Sequence, residues 1–581
     1  MFYLFTTSHR NEIKDLTPLL LGNWCLENSL NKSENKVIEH RWEKFEKYNS
    51  DAIYLENLHD NLLNILTIEF NKLNNVNYTF DNYRILFSPW LNTLILVLFE
   101  RFTSIEQSFR EYKIENCLLV DHKETILETD DLEDFYESIN NQNWNLSLYS
   151  SIVRFLFPQN NFDVISLKNI GDLNTKKLKI NLKQKLKDCI FSLNNKLFGF
   201  LNKRNKFLFI NTYLSNTNYI KLSFKFKLFP VFFKFNKPPK ERNIKNKSID
   251  LLYTFEALNP FENYLKECFD TFVPFCFLEG FNSNIEYLKS LNLPDNPKVI
   301  FTSSMTYNNT ALMYYLFDKL SRNTKLIVGQ HGANYWTFDK FFMQKHELLI
   351  SDGIVAWGEF CNDEKIFPLG ILKKIRNIKK KKSVNEIHVI MNSLPRFISE
   401  ISYPTYQVNF LRYLNKCYDL FEKMNNSKNF KSLCKVRLYH HDYGWCEKIN
   451  IEQIFKIQTI NPLENILFSS RRARILIFTY NSTGILEFSA INTPFLVLLD
   501  FEIEPINDSA INFFKEYIDV GIIHTNTKSL LNHLNLIYND VDLWWFSEKV
   551  QKAVKNFSKN FSKFNSNIVN DICKTINNLS N

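Results

Sequence analysis

The sequence predicts an α/β protein of two tandem domains with parallel sheets and a helix-rich N-terminal part. Three observations carry this. At 581 residues and 69.2 kDa the chain exceeds the ~250–300 residues over which a single core keeps growing. Short apolar runs ending in small polar turns alternate with amphipathic helical stretches, the pattern of βαβ units. That alternation stops at a lysine-rich stretch after residue 367 and then restarts.

Taken in chain order, residues 1–10 have no basic stretch ahead of an apolar run and read as a first strand, not a secretory leader. Residues 93–109 carry Leu94, Val97, Leu98, Phe102 and Ile105 at helical spacing. The longest apolar run, residues 94–99, falls short of the ~20 residues of a membrane span, so a cytoplasmic protein is expected. Residues 219–229 alternate apolar and polar with period two and predict an amphipathic strand, followed by an exposed basic loop through Lys247. Strands follow at 299–301, 326–328 and 353–358, with a helix at about 309–321. Residues 367–382 are the expected linker, and further strands are read at 387–391, 436–439, 473–478 and 495–499. The domains are thus expected at 1–365, 366–545 and, as a helical segment, 546–581.

Composition excludes several classes. Hydrophobic residues at 45% and charged residues at 23% exclude a disordered or fibrous chain. The 54 Phe read as core filler where other proteins use Leu. A net charge of +9 spread along the chain is too diffuse for a nucleic-acid binder. The 10 Cys are scattered singly without C-x-x-C, which implies reduced thiols and no zinc site.

Two stretches carry the strongest chemical signal. An apolar strand runs into Asn481, Ser482, Thr483 and Gly484 and then opens a helix, whose N-terminal amides form an anion site that Gly484 leaves open to a phosphate. Glu487 is expected in the first helical turn, where it either accepts sugar or ribose hydroxyls or complements the helix dipole. The second stretch is Gln330, His331 and Gly332 at the end of another strand, with His331 the candidate general base. Asp352 is expected to orient His331 or to act as the base itself, and Glu347 is a further carboxylate directed towards the same cleft. Ser393 and Arg396 follow a strand in the second domain, where a guanidinium can clamp phosphate. His441 and Asp442 follow another strand but are too close in sequence to share an ion, so no metal site is expected. The D-x-D at Asp540 and Asp542 sits in a helical context and reads as chance.

These motifs resemble a family of transferases encoded in bacterial O-antigen and surface-polysaccharide gene regions. The resemblance runs over most of the chain, through Leu20-Leu21-Gly22-Asn23-Trp24-Cys25, a turn at Pro89-Trp90-Leu91, Gly329-Gln330-His331-Gly332, Ile350-Ser351-Asp352 with Trp357-Gly358, residues 480–487, and Trp544-Trp545 with Gln551. It departs at Ser8-His9-Arg10, where an acidic residue is usual, and at Leu498-Leu499-Asp500, where an aromatic pair is usual. It implies a GT-B-like fold of two Rossmann-like domains with a nucleotide-activated donor, a nucleotide sugar, held mainly by the C-terminal one; with the D-x-D read as chance, the expected glycosyltransferase is metal-independent and uses no cofactor. Ser482, Thr483, Gly484 and Glu487 would lie on the donor side and His331 near a glycan or lipid-linked glycan acceptor. A CDP-glycerol-type polyol-phosphate transferase or a non-catalytic polysaccharide-assembly protein are the alternatives. The basic stretch from Lys221 to Lys247 is either a strand with a solvated loop or a peripheral contact with the inner face of the plasma membrane.

Overall fold

Strands buried on both faces need helices on both sides, and this requirement organises the molecule. The structure, a computed structural model, describes all residues except 12, 14, 31–35, 170–188, 190–192, 195–198, 233–246, 250, 252–253, 305, 339–340, 374, 376–384, 400–403 and 581. The first sheet contains β1 (Phe2–Phe5), β2 (Thr17–Leu20), β3 (Lys36–Val37), β4 (Ile114–Val120) and β5 (Asp163–Ile165) in the order β3-β2-β1-β4-β5. The second contains β6 (Phe207–Ile210), β7 (Val299–Thr302), β8 (Lys325–Gly329), β9 (Gly353–Val355) and β10 (Ile366–Phe367), ordered sequentially from one edge to the other. The third contains β11 (Glu386–Ile390), β12 (Cys434–Arg437), β13 (Gln458–Ile460), β14 (Ala473–Phe478), β15 (Phe495–Leu498) and β16 (Ile523–His524). Its order is β13-β12-β11-β14-β15-β16, the 3-2-1-4-5-6 order of a Rossmann fold, with the switch point between β11 and β14. Every strand pairing in the three sheets is parallel.

The tandem α/β class is therefore observed, with two sheets ahead of residue 370. Between β3 and β4 run two long helices that pack on each other, α1 (Phe45–Asn74) and α2 (Phe80–Glu111). Helix α2 has the length and apolarity to cross a membrane, but 94% of that window is buried inside the protein, as in a core helix. Pro89 to Leu91, expected as a turn, lie within α2, because the fully buried Trp90 and Leu91 are held by tertiary packing that outweighs the proline.

The strand expected at 219–229 is instead helix α3 (Asn216–Lys225). Ser215 caps it, its hydroxyl accepting the Asn218 amide at 3.2 Å, and Leu222 is buried while Phe224 is 62% exposed. The period-two pattern coincided with a helix that buries only a narrow stripe. Most of the basic loop that follows, and the run Lys379 to Lys382, lie outside the described residues.

Later helices complete the frame. They are α4 (Thr310–Leu320), α5 (Phe342–Ile350), α6 (Phe410–Asn426), α7 (Thr483–Ala490), α8 (Glu548–Phe561) and α9 (Ile568–Ser580). Helix α8 packs Phe557 and Phe561 into the core of the third sheet. Helix α9 returns to the second sheet, placing Ile568, Ile572 and Ile576 against Phe209, Val299, Phe301 and Ile327. Between them Lys563 bonds the backbone of Trp357 and Ile371, at 2.7 and 3.0 Å. The chain end thus ties the two sheets that flank the cleft. Replacing the buried Ile572 with Ala is expected to cost ~2–5 kcal/mol, read as a lower Tm and urea midpoint; an unchanged melt would detach α9 from the core.

Candidate active site

The carboxyl ends of β8, β11, β12 and β14 converge on one cavity of about 910 Å³. Parallel sheets point ligands to this end, and the β11/β14 switch point opens here through Met391, Asn392 and the residues 480–484. The wall opposite is formed by residues 331–335 after β8, with Phe341, Phe342 and Met343 at the start of α5.

The two motifs touch. The Ala333 amide donates to Thr483 Oγ1 at 3.1 Å, and a Cβ on Gly332 would lie 3.2 Å from the same hydroxyl. Asn481 Nδ2 donates to Thr337 Oγ1 at 3.3 Å, and its own amide is accepted by Glu504 Oε2 at 3.0 Å. Ser482 is the N-cap of α7, yet its hydroxyl makes no cap bond and has no partner although buried. An orphan hydroxyl beside the unsatisfied first-turn amides of a helix is a donor set for an anion. Lys373 adds charge, reaching Glu487 Oε1 at 2.9 Å and lying over the Tyr213 and Trp357 rings.

Behind His331 runs a buried chain of hydrogen bonds. Nδ1 of His331 meets the Tyr335 hydroxyl at 2.9 Å, which donates to Glu347 Oε2 at 2.7 Å, while Thr306 Oγ1 donates to Oε1 at 3.2 Å. Burial, then the charge of Lys373, lowers the His331 pKa to about 4, while the Ser303 carbonyl facing the ring opposes them. Burial raises Glu347 to about 8 against the two hydroxyls that stabilise its charge. Glu504, in the cleft wall, is likewise raised by burial to about 8.

The sequence matches the LIC12162 family transferase over residues 1–576. The chain belongs to this family of transferases. A search of curated proteins finds no match. Among solved structures, the crystal structure of TarM is 14% identical, covering 52% of this chain and 58% of that one, with a TM-score of 0.33. The S. aureus MnaA–UDP structure is 10% identical over 65% of this chain and 97% of that chain, with a TM-score of 0.37. The wall teichoic acid polymerase TagF soaked with CDPG is 11% identical over 69% and 94%, with a TM-score of 0.34. The assignment of the fold rests on the strand orders, not on these likenesses.

In the transferase, His331, Gly332, Asn481, Ser482, Thr483, Gly484 and Glu487 line one cleft. Several other expected residues do not reach it. Asp352 accepts from the Leu326 amide at 2.9 Å and pairs with Lys325, at the amino end of β8, the opposite end from His331. It can neither orient the imidazole nor act beside it; Tyr335, backed by Glu347, holds the ring. Glu347 itself is fully buried behind the wall. Gln330 braces the turn, donating to Gly332 O and accepting from the Trp357 amide. Ser393 donates to the buried Glu447 at 2.5 Å, and Arg396 lies over Trp445 and bonds Gly444 O, so neither clamps a ligand in the cleft. Asp442 Oδ1 caps the Gly444 amide and His441 packs on Tyr443, whereas the neighbouring His440 lines the cleft. Glu487 falls in the second turn of α7, and the side of Gly484 where a Cβ would sit is filled by the Phe478 ring at 2.4 Å, so this glycine serves strand–helix packing. Asp540 caps the Leu543 amide at 3.0 Å. Sequence reasoning missed Tyr335, Lys373 and Glu504. Tyr335 stands four residues from His331, and Glu504 follows the end of β15, so strand-end position was the available signal for the latter.

The buried acids fix the pH dependence of stability. Folded, Glu347 and Glu504 hold protons up to about 8, whereas unfolded carboxyls release them near 4.5. The folded chain therefore binds more protons between these limits, and stability falls as pH rises through this window. The buried histidines act oppositely and outnumber the acids: His331, His346 and His524 are lowered to about 4, 3 and 4, and His9, His59, His388, His440 and His533 are lowered too, so between about 4 and 6.5 the unfolded chain binds more protons and stability rises with pH. The Tm is expected to peak near pH ~6–6.5 and decline towards pH ~8.5, with Glu504→Gln flattening the alkaline limb and steepening the rise above pH ~4.5. Melts whose alkaline limb is identical in the variant would contradict the assignment.

Proposed function

We propose that the transferase moves a sugar from a nucleotide-activated donor to a surface-polysaccharide or O-antigen acceptor, without metal or cofactor and with His331 as general base. The observation that carries this reading is the meeting of a neutral imidazole and the open N-terminus of α7 across one cleft, joined by the Ala333–Thr483 bond. The acceptor hydroxyl gives its proton to the ring nitrogen of His331 not held by Tyr335, and its oxygen attacks the anomeric carbon. The bond from that carbon to the phosphate oxygen breaks, and the nucleoside diphosphate leaves with the electron pair. Its new charge is taken up by the first-turn amides of α7, the Ser482 hydroxyl and Lys373. Such donors are made in the cytoplasm, where the reading puts the reaction, with a free or lipid-linked glycan at the inner membrane face as acceptor.

The Tyr335–Glu347 pair sets the tautomer of the base. When Glu347 is ionised, Tyr335 donates to it and accepts the Nδ1 proton of His331, leaving Nε2 unprotonated and able to turn from the Ser303 carbonyl to an acceptor hydroxyl. When Glu347 is protonated, it donates to Tyr335, Tyr335 donates to Nδ1, and Nε2 carries the proton instead. Glu347 is thus a positioning residue whose ionised form makes the base competent. The rate is expected to rise with pH through about 8. Glu347→Gln should remove that limb while leaving KM for the donor within about twofold; an unaltered pH profile would refute the coupling.

A panel of nucleotide sugars with CDP-glycerol as competitor class tests the reaction itself. Turnover of a nucleotide sugar, reduced ~10²–10⁴-fold in His331→Ala with an unchanged Tm, is the expected outcome. Turnover of CDP-glycerol alone would reassign the donor to a polyol phosphate, and absence of any nucleotide binding would point to a non-catalytic assembly protein.

A further inference from the structure

A second cavity, of about 220 Å³, opens between α1, α2 and α5. Phe342 lines both this cavity and the cleft, so the two are neighbours across one ring. Three buried polar atoms on residues lining it have no hydrogen-bond partner: Nε2 of His59, Nε2 of His346 and the hydroxyl of Ser88. These residues are 5%, 2% and 1% exposed, and they come from three different helices. Buried polar groups without partners cost stability and mark a place where a ligand or water completes them.

The chemistry of the wall selects the ligand. Its two cations are already matched, Arg84 with Asp60 at 3.7 Å and Lys345 with Glu56 at 3.1 Å. Nδ1 of His59 lies 3.0 Å from Asp60 Oδ1, where it holds the ring proton and leaves Nε2 as an acceptor. Burial, with Arg84 nearby, lowers the pKa of both imidazoles, His346 to about 3, so both are neutral. Neutral imidazole acceptors need a partner that brings hydrogens. A carboxylate brings none and a hydrogen phosphate brings its hydrogen together with a charge that the already matched cations do not balance, whereas a hydroxyl donates to imidazole and accepts from Ser88 without any charge. The Phe342 ring, stacked on His346, adds an apolar face of the kind that covers the C–H side of a sugar. The volume lies below the ~300–1,000 Å³ of drug-sized sites and well above the ~30 Å³ share of one water, which suits a single ring.

We propose that this cavity is a second saccharide subsite, holding one neutral sugar ring of the acceptor glycan while another unit of that glycan reaches His331. Its role as an acceptor subsite rests on the transfer reading above; saccharide binding does not.

The test is binding to the full-length protein, by saturation-transfer NMR and calorimetry, of the methyl glycosides of glucose, galactose, rhamnose and N-acetylglucosamine, with inorganic phosphate as the anionic control. UDP and CDP binding reports separately on the cleft. At least one glycoside is expected to bind, to lose affinity 10-fold or more in both Ser88→Val and His59→Phe, and to resist displacement by phosphate. Two variants that melt no lower than wild type and keep its nucleotide affinity make the result specific. Failure of every glycoside to bind, equal binding in wild type and variants, or displacement by phosphate would overturn the subsite and leave the cavity to water or an anion. Glycoside binding lost in the variants, without nucleotide binding in any form of the protein, would uphold the subsite and sink the transfer reading instead.

Discussion

The hydroxyl of Thr483 and the amide of Ala333 meet where two parallel sheets end, and the geometry of the cleft depends on that contact. Parallel sheets leave their strand-end turns facing outward at one edge, so neither sheet alone encloses a ligand. Bringing the turn after β8 against the start of α7 makes one enclosed space with an imidazole on one wall and a helix N-terminus on the other. The remaining architecture serves this placement. The end of the chain crosses from the third sheet to the second through Lys563, so α8 and α9 clasp both sides of the cleft.

Burial sets the chemistry as much as position does. Within and behind the cleft wall, low solvation keeps His331 without its proton and Glu347 and Glu504 with theirs. Lys373 and Glu487 pair across the two halves, and Arg437 adds a further cation to the lining. A cleft whose lining carries two cations, Lys373 and Arg437, against one carboxylate, Glu487, suits a reaction in which negative charge develops on a departing phosphate.

Much of the fold was legible because buried parallel strands are written as uninterrupted apolar runs. Phe495–Leu498, inside the strand read at 495–499, is the clearest case. The helix over 216–225 was not legible, because Ile220, Leu222 and Phe224 alternate as in a strand while Tyr219 and Leu222 also fit a narrow helical stripe, and the deciding Ser215 cap lies outside that pattern. Of the candidate site, Ser482, Thr483 and His331 followed from their places at strand ends. Asp352 was misplaced since it sits near a strand end in sequence but at the wrong end in space, fixed by the Leu326 amide. Tyr335 escaped notice because its role depends on a backbone turn, with Asn334 and Trp336 at positive φ on either side, that carries its hydroxyl back to the imidazole. Glu504 escaped because burial of a carboxylate cannot be seen in a loop sequence.

The claim that the two turns form one donor site is tested most directly by a crystal structure of the protein with a bound nucleoside diphosphate. The account predicts the diphosphate within hydrogen-bonding distance of the Ser482 hydroxyl and the Thr483 and Gly484 amides, with His331 facing it from the opposite wall. A diphosphate bound elsewhere, or the 331–333 and 482–484 turns found on separate surfaces, would contradict it.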